Sequence, residues 1–369
     1  MRIEDPLTLP IVGAGPAGCA AAIALARLGA DPLLIDKDEK VGDPLCGGFL
    51  SWRTAQQLEN LGIDPAALGA HRVARLRLFD GAREAEVTLP RPAWGLSRHA
   101  LDIAMRARAK AEGASLTIDT VRGVEPGRVV GKTGEYASHF IFLASGKHDI
   151  RGQSRPRTRS DTALGLRLRL TKSPERDRLI GDAIELHLFP GGYAGIVLQE
   201  GNSANICLAL RKSALADAES SPETLFAQVA DRSPAFAARL GDDWRGGRFD
   251  TIGAVPYGYI AKDTEPGIWR LGDQAAVIPS LAGEGISIAL ASGTMAAHCW
   301  HKTFDARDFQ HAFAMRASRP VRLASLAWHL AETRLGARAA TALARIAPSL
   351  VADFADWTRI GAPASLARA

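Results

Sequence analysis

The chain is poor in the residues that define several protein classes. Four cysteines in 369 residues, Cys19, Cys46, Cys207 and Cys299, lie far apart and form no C-x-x-C pair. That spacing excludes a disulfide framework or a thiolate metal cluster and fits a reducing, cytoplasmic compartment. The nine histidines include no H-E-x-x-H motif, and His298 with His301 on one helical face lacks a third ligand, so no metal is expected. Lysine is scarce, nine against 36 arginines, and bases exceed acids by only 45 to 40. A net charge of +5 over this length concentrates on no element, as nucleic-acid binding would require. The uncharged stretch Gly285–His301 falls short of a bilayer span and carries Gly, Ser, Thr and His, so no transmembrane segment is expected. The charged start Met1–Asp5 is unlike a signal peptide, and a soluble protein is expected. Hydrophobic residues at 47% against 23% charged supply a sizeable core, which excludes a disordered chain, a fibre or a coiled coil. The length corresponds to one large or two closely joined domains.

What is present begins at the N-terminus. Thr8–Val12 reads as a buried strand, Gly13-Ala14-Gly15-Pro16-Ala17-Gly18 as a turn, and Cys19–Leu28 as an Ala-rich helix. A second apolar strand, Pro32–Ile35, ends in Asp36. Strand, glycine turn, helix, strand and terminal acid form a dinucleotide-binding βαβ unit. Gly13 permits the tight turn, Gly15 lets backbone approach a pyrophosphate, and Gly18 lets the helix pack on the sheet. The pyrophosphate would sit at the positive helix end, and Asp36 would accept from ribose hydroxyls. Pro10 lacks a ladder donor and predicts a locally irregular strand start.

Further on, helices are expected at Arg53–Leu61 and Ser97–Gly113, and strands at Val73–Asp80, Glu84–Leu89, Ser115–Ile118 and Phe140–Leu143. The pattern then changes. Thr162–Leu170, Ala183–Phe189, Tyr193–Gln199 and Ala204–Leu210 alternate at hairpin spacing, which predicts an antiparallel sheet. Helices follow near Pro222–Ala230 and Pro234–Leu240, then a strand Gly267–Leu271, a small-residue helix Gly285–Trp300 and an almost wholly helical remainder, Asp308–Trp357. The expected fold class is α/β: a discontinuous Rossmann-like domain (1–75, 96–160 and 255–305), interrupted by an antiparallel-sheet substrate domain (76–95 and 161–254), with a helical cap (306–369).

A second glycine-rich segment runs from Gly272-Asp273 through Pro279 to Gly283-Glu284-Gly285-Ile286. Together the segments resemble the FAD-dependent oxidoreductases of the glutathione-reductase-2 type, which share the fold of the aromatic hydroxylases. Leu45-Cys46-Gly47-Gly48-Phe49-Leu50-Ser51 is similar to the Cys-Gly-Gly segment of the geranylgeranyl reductase branch, and Gly283–Ile286 to its G-G-G-I loop. The resemblance implies an FAD site in which Gly13, Gly15, Pro16, Ala17, Gly18, Asp36 and Lys37 hold the ADP half. Arg98 would contact the phosphates or ribityl region and Asp273 the ribityl chain, with Val121, Gly146 and Gly272 also cofactor-binding. Cys46, Gly47, Pro279, Gly283, Gly285 and Ile286 would lie by the flavin ring. The implied activity is reduction of a carbon–carbon double bond in an apolar substrate, with NAD(P)H or an external donor, such as a separate reductase or carrier protein, supplying electrons transiently. Aromatic hydroxylation by the same cofactor is the alternative, and a flavin-binding module without turnover a further one.

Two departures bear on that reading. Ser145-Gly146-Lys147 stands where the family has Asp-Gly, so an acid tied to nicotinamide handling is missing. In Phe189-Pro190-Gly191-Gly192-Tyr193-Ala194-Gly195-Ile196-Val197 the tyrosine of a Tyr-x-Trp-x-Phe-Pro segment survives without its Trp and Phe. Phe189, Tyr193, Gly195 and Val197 are therefore expected to line a wider pocket. The W-x-W-x-I-P segment of flavin halogenases is absent. Cys46 is either catalytic or a small buried hydrophobe. Tyr193 and His148 are candidates for proton transfer, each with a structural alternative. Arg151, Arg155, Arg157 and Arg159 read as an anion site or a solvated connector, and the C-terminal helices as a cap or a membrane-lying face.

Overall fold

The molecule is described from a computed structural model that covers residues 8–156 and 161–360; Arg157 and Arg159 lie outside the described residues. Five short strands form one parallel sheet in the order Ile268–Arg270, Ile141–Leu143, Thr8–Val12, Asp31–Asp36, Ser115–Ile118. Both faces are covered, so the central strand is a continuous apolar run and not an alternating one. Helix Pro16–Arg27 opens with proline at its first turn, where no donor is needed. Its alanines admit helix Gly285–His301 closely: a Cβ on Gly293 would lie 2.4 Å from the Ala17 carbonyl oxygen. The irregular start expected at Pro10 is not found. The register with Asp31–Asp36 is unbroken from Thr8 to Val12. Val12 accepts from Ala144 at 2.9 Å and Gly13 donates to Ile35 at 2.8 Å, so Pro10 faces the strand 141–143, whose pairing starts only at Ile11. One donor is lost where little ladder exists.

The second sheet has eight strands in the order Phe249–Val255, Ala163–Leu170, Ala204–Arg211, Gly192–Leu198, Ala183–Phe189, His71–Asp80, Arg83–Gly95, Phe49–Leu50. The expected hairpin strands are there, and Ala183–Phe189 and Pro234–Leu240 match residue for residue. The sheet is not wholly antiparallel: Ala183–Phe189 pairs in parallel with His71–Asp80. Those two strands come from distant parts of the chain, so no tight turn dictates their sense. One face packs Leu168, Ile196 and Ile206 against Phe226 and Phe236 of the helices Pro222–Arg232 and Pro234–Leu240. On that side Glu185, fully buried, meets Arg77 at 3.1 Å, Arg239 at 2.9 Å and His187 at 3.3 Å. The other face turns toward the C-terminal helices Ala306–Ala331, Arg334–Ile346 and Pro348–Trp357. A small meander, Gly123–Glu125, Arg128–Val130 and Glu135–Ala137, was not legible, since three-residue strands give too few positions for alternation.

Candidate active site

A cavity of about 1410 Å³ runs from the glycine turn of the first strand to the space between the second sheet and the C-terminal helices. At its N-terminal end the three glycines meet different demands. Gly13 has φ +105°, and a Cβ there would lie 2.5 Å from Ala144 O. A Cβ on Gly18 would sit 1.9 Å from Gly13 O, so the helix start rests directly on the turn. A Cβ on Gly15 would touch only Arg98 Nη2, at 3.5 Å, and otherwise project into the cavity. Open space over backbone at a helix N-terminus suits a pyrophosphate. Asp36 is half-buried at the end of its strand, accepting from Ala14 N at 2.8 Å and Asp38 N at 3.0 Å, with Arg106 at 3.1 Å. Each carboxylate oxygen keeps lone-pair capacity for a sugar hydroxyl. These residues fit an adenine dinucleotide cofactor.

Helix Arg98–Ala111, capped by Ser97 Oγ, which accepts from Ala100 N at 3.0 Å, places Arg98, Asp102 and Arg106 on one stripe. Arg98 donates to both Asp102 oxygens at 2.8 and 2.7 Å. Burial works against its charge, but the carboxylate outweighs it and holds Arg98 above the usual arginine range. Arg106 bonds Ala14 O at 3.1 Å and Asp38 O at 2.8 Å, which fixes the turn against the second strand. It was missed because those partners lie some 70 to 90 residues away in sequence.

The segment 43–48 crosses the cavity between the two sheets and is held by side chains from elsewhere. Asn205 donates to Cys46 O at 3.1 Å and Gly47 O at 2.8 Å, and Lys147 to Leu45 O at 2.9 Å. Arg167 donates to Asp43 O at 2.8 Å and Pro44 O at 3.2 Å. Gly48 has φ +73°, and a Cβ there would strike the Gln199 amide. The backbone of Cys46 and Gly47 is thus immobilised on the wall of the cavity. Arg155, expected among solvated connector arginines, is buried: it donates to Asp149 Oδ1 at 2.7 Å, Lys147 O at 2.7 Å and Asp273 O at 3.0 Å. It ties the Ser145–Asp149 loop to the Gly272–Asp273 turn. Asp273 itself lines the cavity, and its carboxylate has no partner among the described residues. Glu284, fully buried, pairs with Arg359 at 2.6 Å; Arg359 lies 4.7 Å over the Trp52 ring. The glycine loop 283–286 is thereby anchored to the C-terminal end of the described chain.

Deeper in, Tyr193 Oη donates to Ser280 Oγ at 2.8 Å, and the Tyr257 hydroxyl meets the same oxygen at 2.6 Å. Trp328 packs edge-on against both rings. Burial pushes the Tyr193 phenol well up and the Tyr257 phenol up to about 12, so both stay protonated at neutral pH. Burial also raises the Cys207 thiol to about 12. Tyr257, Ser280 and Trp328 converge from three segments, and no local pattern marks them.

Of the sequence-predicted site residues, Gly13, Gly15, Pro16, Ala17, Asp36 and Lys37 line the cavity at one end. So do Cys46, Gly47, Arg98, Val121, Gly146, Gly272 and Asp273, and then Gly283, Gly285 and Ile286. Gly18 lies beneath the turn, and Pro279 shapes the backbone beside the lining residues Ile278 and Ser280. Tyr193 and Gly195 face the cavity, whereas Phe189 and Val197 do not line it. On the strand Ala183–Phe189 the even residues Ile184, Leu186 and Leu188 face the cavity, so Phe189 falls on the opposite face. Val197 shares the face of Tyr193 but packs among Trp52, Val73 and Leu89. His148 is exposed at the rim.

A two-sheet fold with a glycine-turn cofactor cradle opening onto an apolar chamber defines an FAD-dependent oxidoreductase of the flavin-monooxygenase-like fold. The FAD binding domain family matches residues 7–124. The chain is 28% identical over 332 residues to a menaquinone reductase of Mycobacterium tuberculosis, covering 84% of this chain and 79% of that protein. It is 28% identical to digeranylgeranylglycerophospholipid reductase 1 of Methanopyrus kandleri, covering 83% of each. Among solved structures it is similar to PqsL of Pseudomonas aeruginosa, a probable FAD-dependent monooxygenase, with a TM-score of 0.73, 14% identity and coverage of 90% and 98%. That last likeness is one of fold.

Proposed function

We propose that this protein reduces a carbon–carbon double bond in an apolar, isoprenoid-type substrate. The observation that supports this most is the chamber beyond the cofactor cradle: Leu76, Leu78, Ile184, Leu186 and Leu188 from the sheet face Ala327, Ala331, Ala340 and Val351 from the helices. Few groups there could bond a polar substrate, while a long hydrocarbon chain would bury apolar area at roughly 25 cal/mol per Å². The names of the reductase relatives, menaquinone and digeranylgeranylglycerophospholipid, are in keeping with it.

In this reading Gly13, Gly15, Asp36 and Arg106 hold the ADP half of FAD, Arg98 and Asp273 its centre, and the backbone of Cys46, Gly47 and 283–286 its ring. Bound FAD supplies the two-electron chemistry that protein side chains lack. The chain excludes water with the sheet–helix chamber and keeps a proton at Tyr193 Oη, within reach of Tyr257 through Ser280. Tyr193 is then the proton donor to the substrate, and Cys46 shapes the approach beside it. A reduced nicotinamide or a partner reductase delivers electrons transiently. The alternative, oxygen insertion on the same fold, is separated by oxygen dependence.

The test is stopped-flow reoxidation of photoreduced enzyme by a short-chain polyprenyl ether that carries no quinone ring, without oxygen. Tyr193→Phe should keep FAD and slow reoxidation about 100- to 10,000-fold, the usual contribution of a positioned acid. Gly195→Trp should exclude substrate and leave photoreduction unchanged, since a Cβ at Gly195 finds nothing nearer than 3.6 Å and the indole must enter the chamber. Unaltered reoxidation in both variants would overturn the reading.

A further inference from the structure

The mouth of the chamber lies among the C-terminal helices, and its rim is unlike the rest of the surface. Leu326, Leu330, Leu343, Leu350 and Trp357 line the cavity and are also about half-exposed. Beside them Leu335 and Ile346 are 78% and 83% exposed. At 100° per residue, Leu335, Ala339, Leu343 and Ile346 share one stripe of helix Arg334–Ile346. The buried Ala337, Thr341 and Ala344 occupy the opposite stripe, which packs on the sheet. Arg334, Arg338 and Arg345 occupy a third, on the flank. With Arg319 and Arg322 they make five exposed arginines around the apolar rim, none in an ion pair among the described residues. Between residues 315 and 360 there are seven arginines and three acids, Glu332, Asp353 and Asp356. No helix among the described residues is long and apolar enough to cross a membrane.

We infer that these helices are a docking surface for an anionic phospholipid bilayer, lying in its interface so that the chamber mouth opens into the acyl region. An apolar stripe flanked by arginines is the pattern of an interfacial helix. A second copy of this chain fits less well, because a two-fold pairing of the same patch would set its unpaired arginines against each other. Arg319, 5.9 Å over the Trp357 ring, places a cation beside the one tryptophan that is exposed among the described residues. The surface rests on exposed residues alone; its role as a substrate entrance rests on the proposed reductase reading.

The FAD-loaded full chain should co-sediment with vesicles of equimolar phosphatidylglycerol and phosphatidylcholine, far less with pure phosphatidylcholine, and be released by salt. Arg334→Gln, Arg338→Gln and Arg345→Gln together should weaken partitioning about 100-fold, at about fivefold per arginine near an anionic surface. Leu335→Glu with Ile346→Glu should abolish binding while leaving FAD content unchanged, since neither residue lines the cavity. Brominated acyl chains should quench wild-type fluorescence, and Trp357→Phe should remove that quenching. Absence of binding to anionic vesicles would overturn the inference, as would binding that survives Leu335→Glu with Ile346→Glu. So would a dimer, seen by sedimentation of the wild type without lipid, that those two substitutions dissolve. Vesicle binding without double-bond reduction would leave the surface standing and remove the proposed reaction.

Discussion

Gly15 and Asp273 project toward the cavity without being needed by the fold, and this separates cofactor effects from folding effects. Gly15→Val should leave a folded protein that no longer co-purifies with FAD, because the side chain would fill the approach to the backbone; retention of stoichiometric flavin in absorbance spectra would contradict that. Asp273→Ala should weaken FAD about 10- to 100-fold, the loss of one charge-assisted bond of roughly 1.5–3 kcal/mol, as read by flavin fluorescence titration. Glu284 is a different case. Removing one partner of a buried pair typically costs roughly 3–5 kcal/mol, so Glu284→Ala should lower the urea midpoint strongly by leaving Arg359 uncompensated. The glycine turn and Asp36 were legible in the sequence because their residue types recur at a fixed short spacing between strand, helix and strand. Arg106, Arg155, Asn205 and Tyr257 were not, since each acts on residues brought near only by the tertiary fold.

At the scale of elements, strand alternation largely told which strands exist but not which face meets the cavity. Phe189 shows the difference: the strand Ala183–Phe189 was placed residue for residue, while its facing was off by one position. Apolar residues occur on both faces of that strand because each is covered, one by the helices Pro222–Arg232 and Pro234–Leu240 and the other by the C-terminal helices. The same strand carries Glu185, whose carboxyl is held down at about 2: burial opposes its charge, and His187 and Arg239 outweigh burial. An unfolded Glu takes up a proton near its ordinary value of about 4.5, so the folded state binds fewer protons below it. Glu185 therefore stabilises the fold fully above pH 4.5, and that stability is lost as pH falls toward 2. Burial lowers His187 below its ordinary 6.5, which adds a loss of stability below that pH. Glu185→Gln should flatten the acid side of a pH–stability curve measured in urea; a curve unchanged from wild type would contradict the sign.

For the whole molecule, a cofactor cradle built on one sheet faces a hydrocarbon-lined chamber built on the other. Tyr193 and Gly195 were legible as pocket residues, whereas Tyr257 and the hydrocarbon wall from the C-terminal helices were not, because they meet the sheet only when those helices close over it. The central claim is that electrons reach a substrate carbon–carbon bond without oxygen. The most direct measurement is the mass of the product formed in one turnover by reduced, FAD-loaded enzyme and a polyprenyl glycerol ether, which carries no quinone ring, under strict anaerobiosis. The proposed reaction gives a product heavier by two hydrogen atoms, with the flavin fully reoxidised. A flavin that stays reduced until oxygen is admitted, followed by product carrying one added oxygen atom, would contradict it.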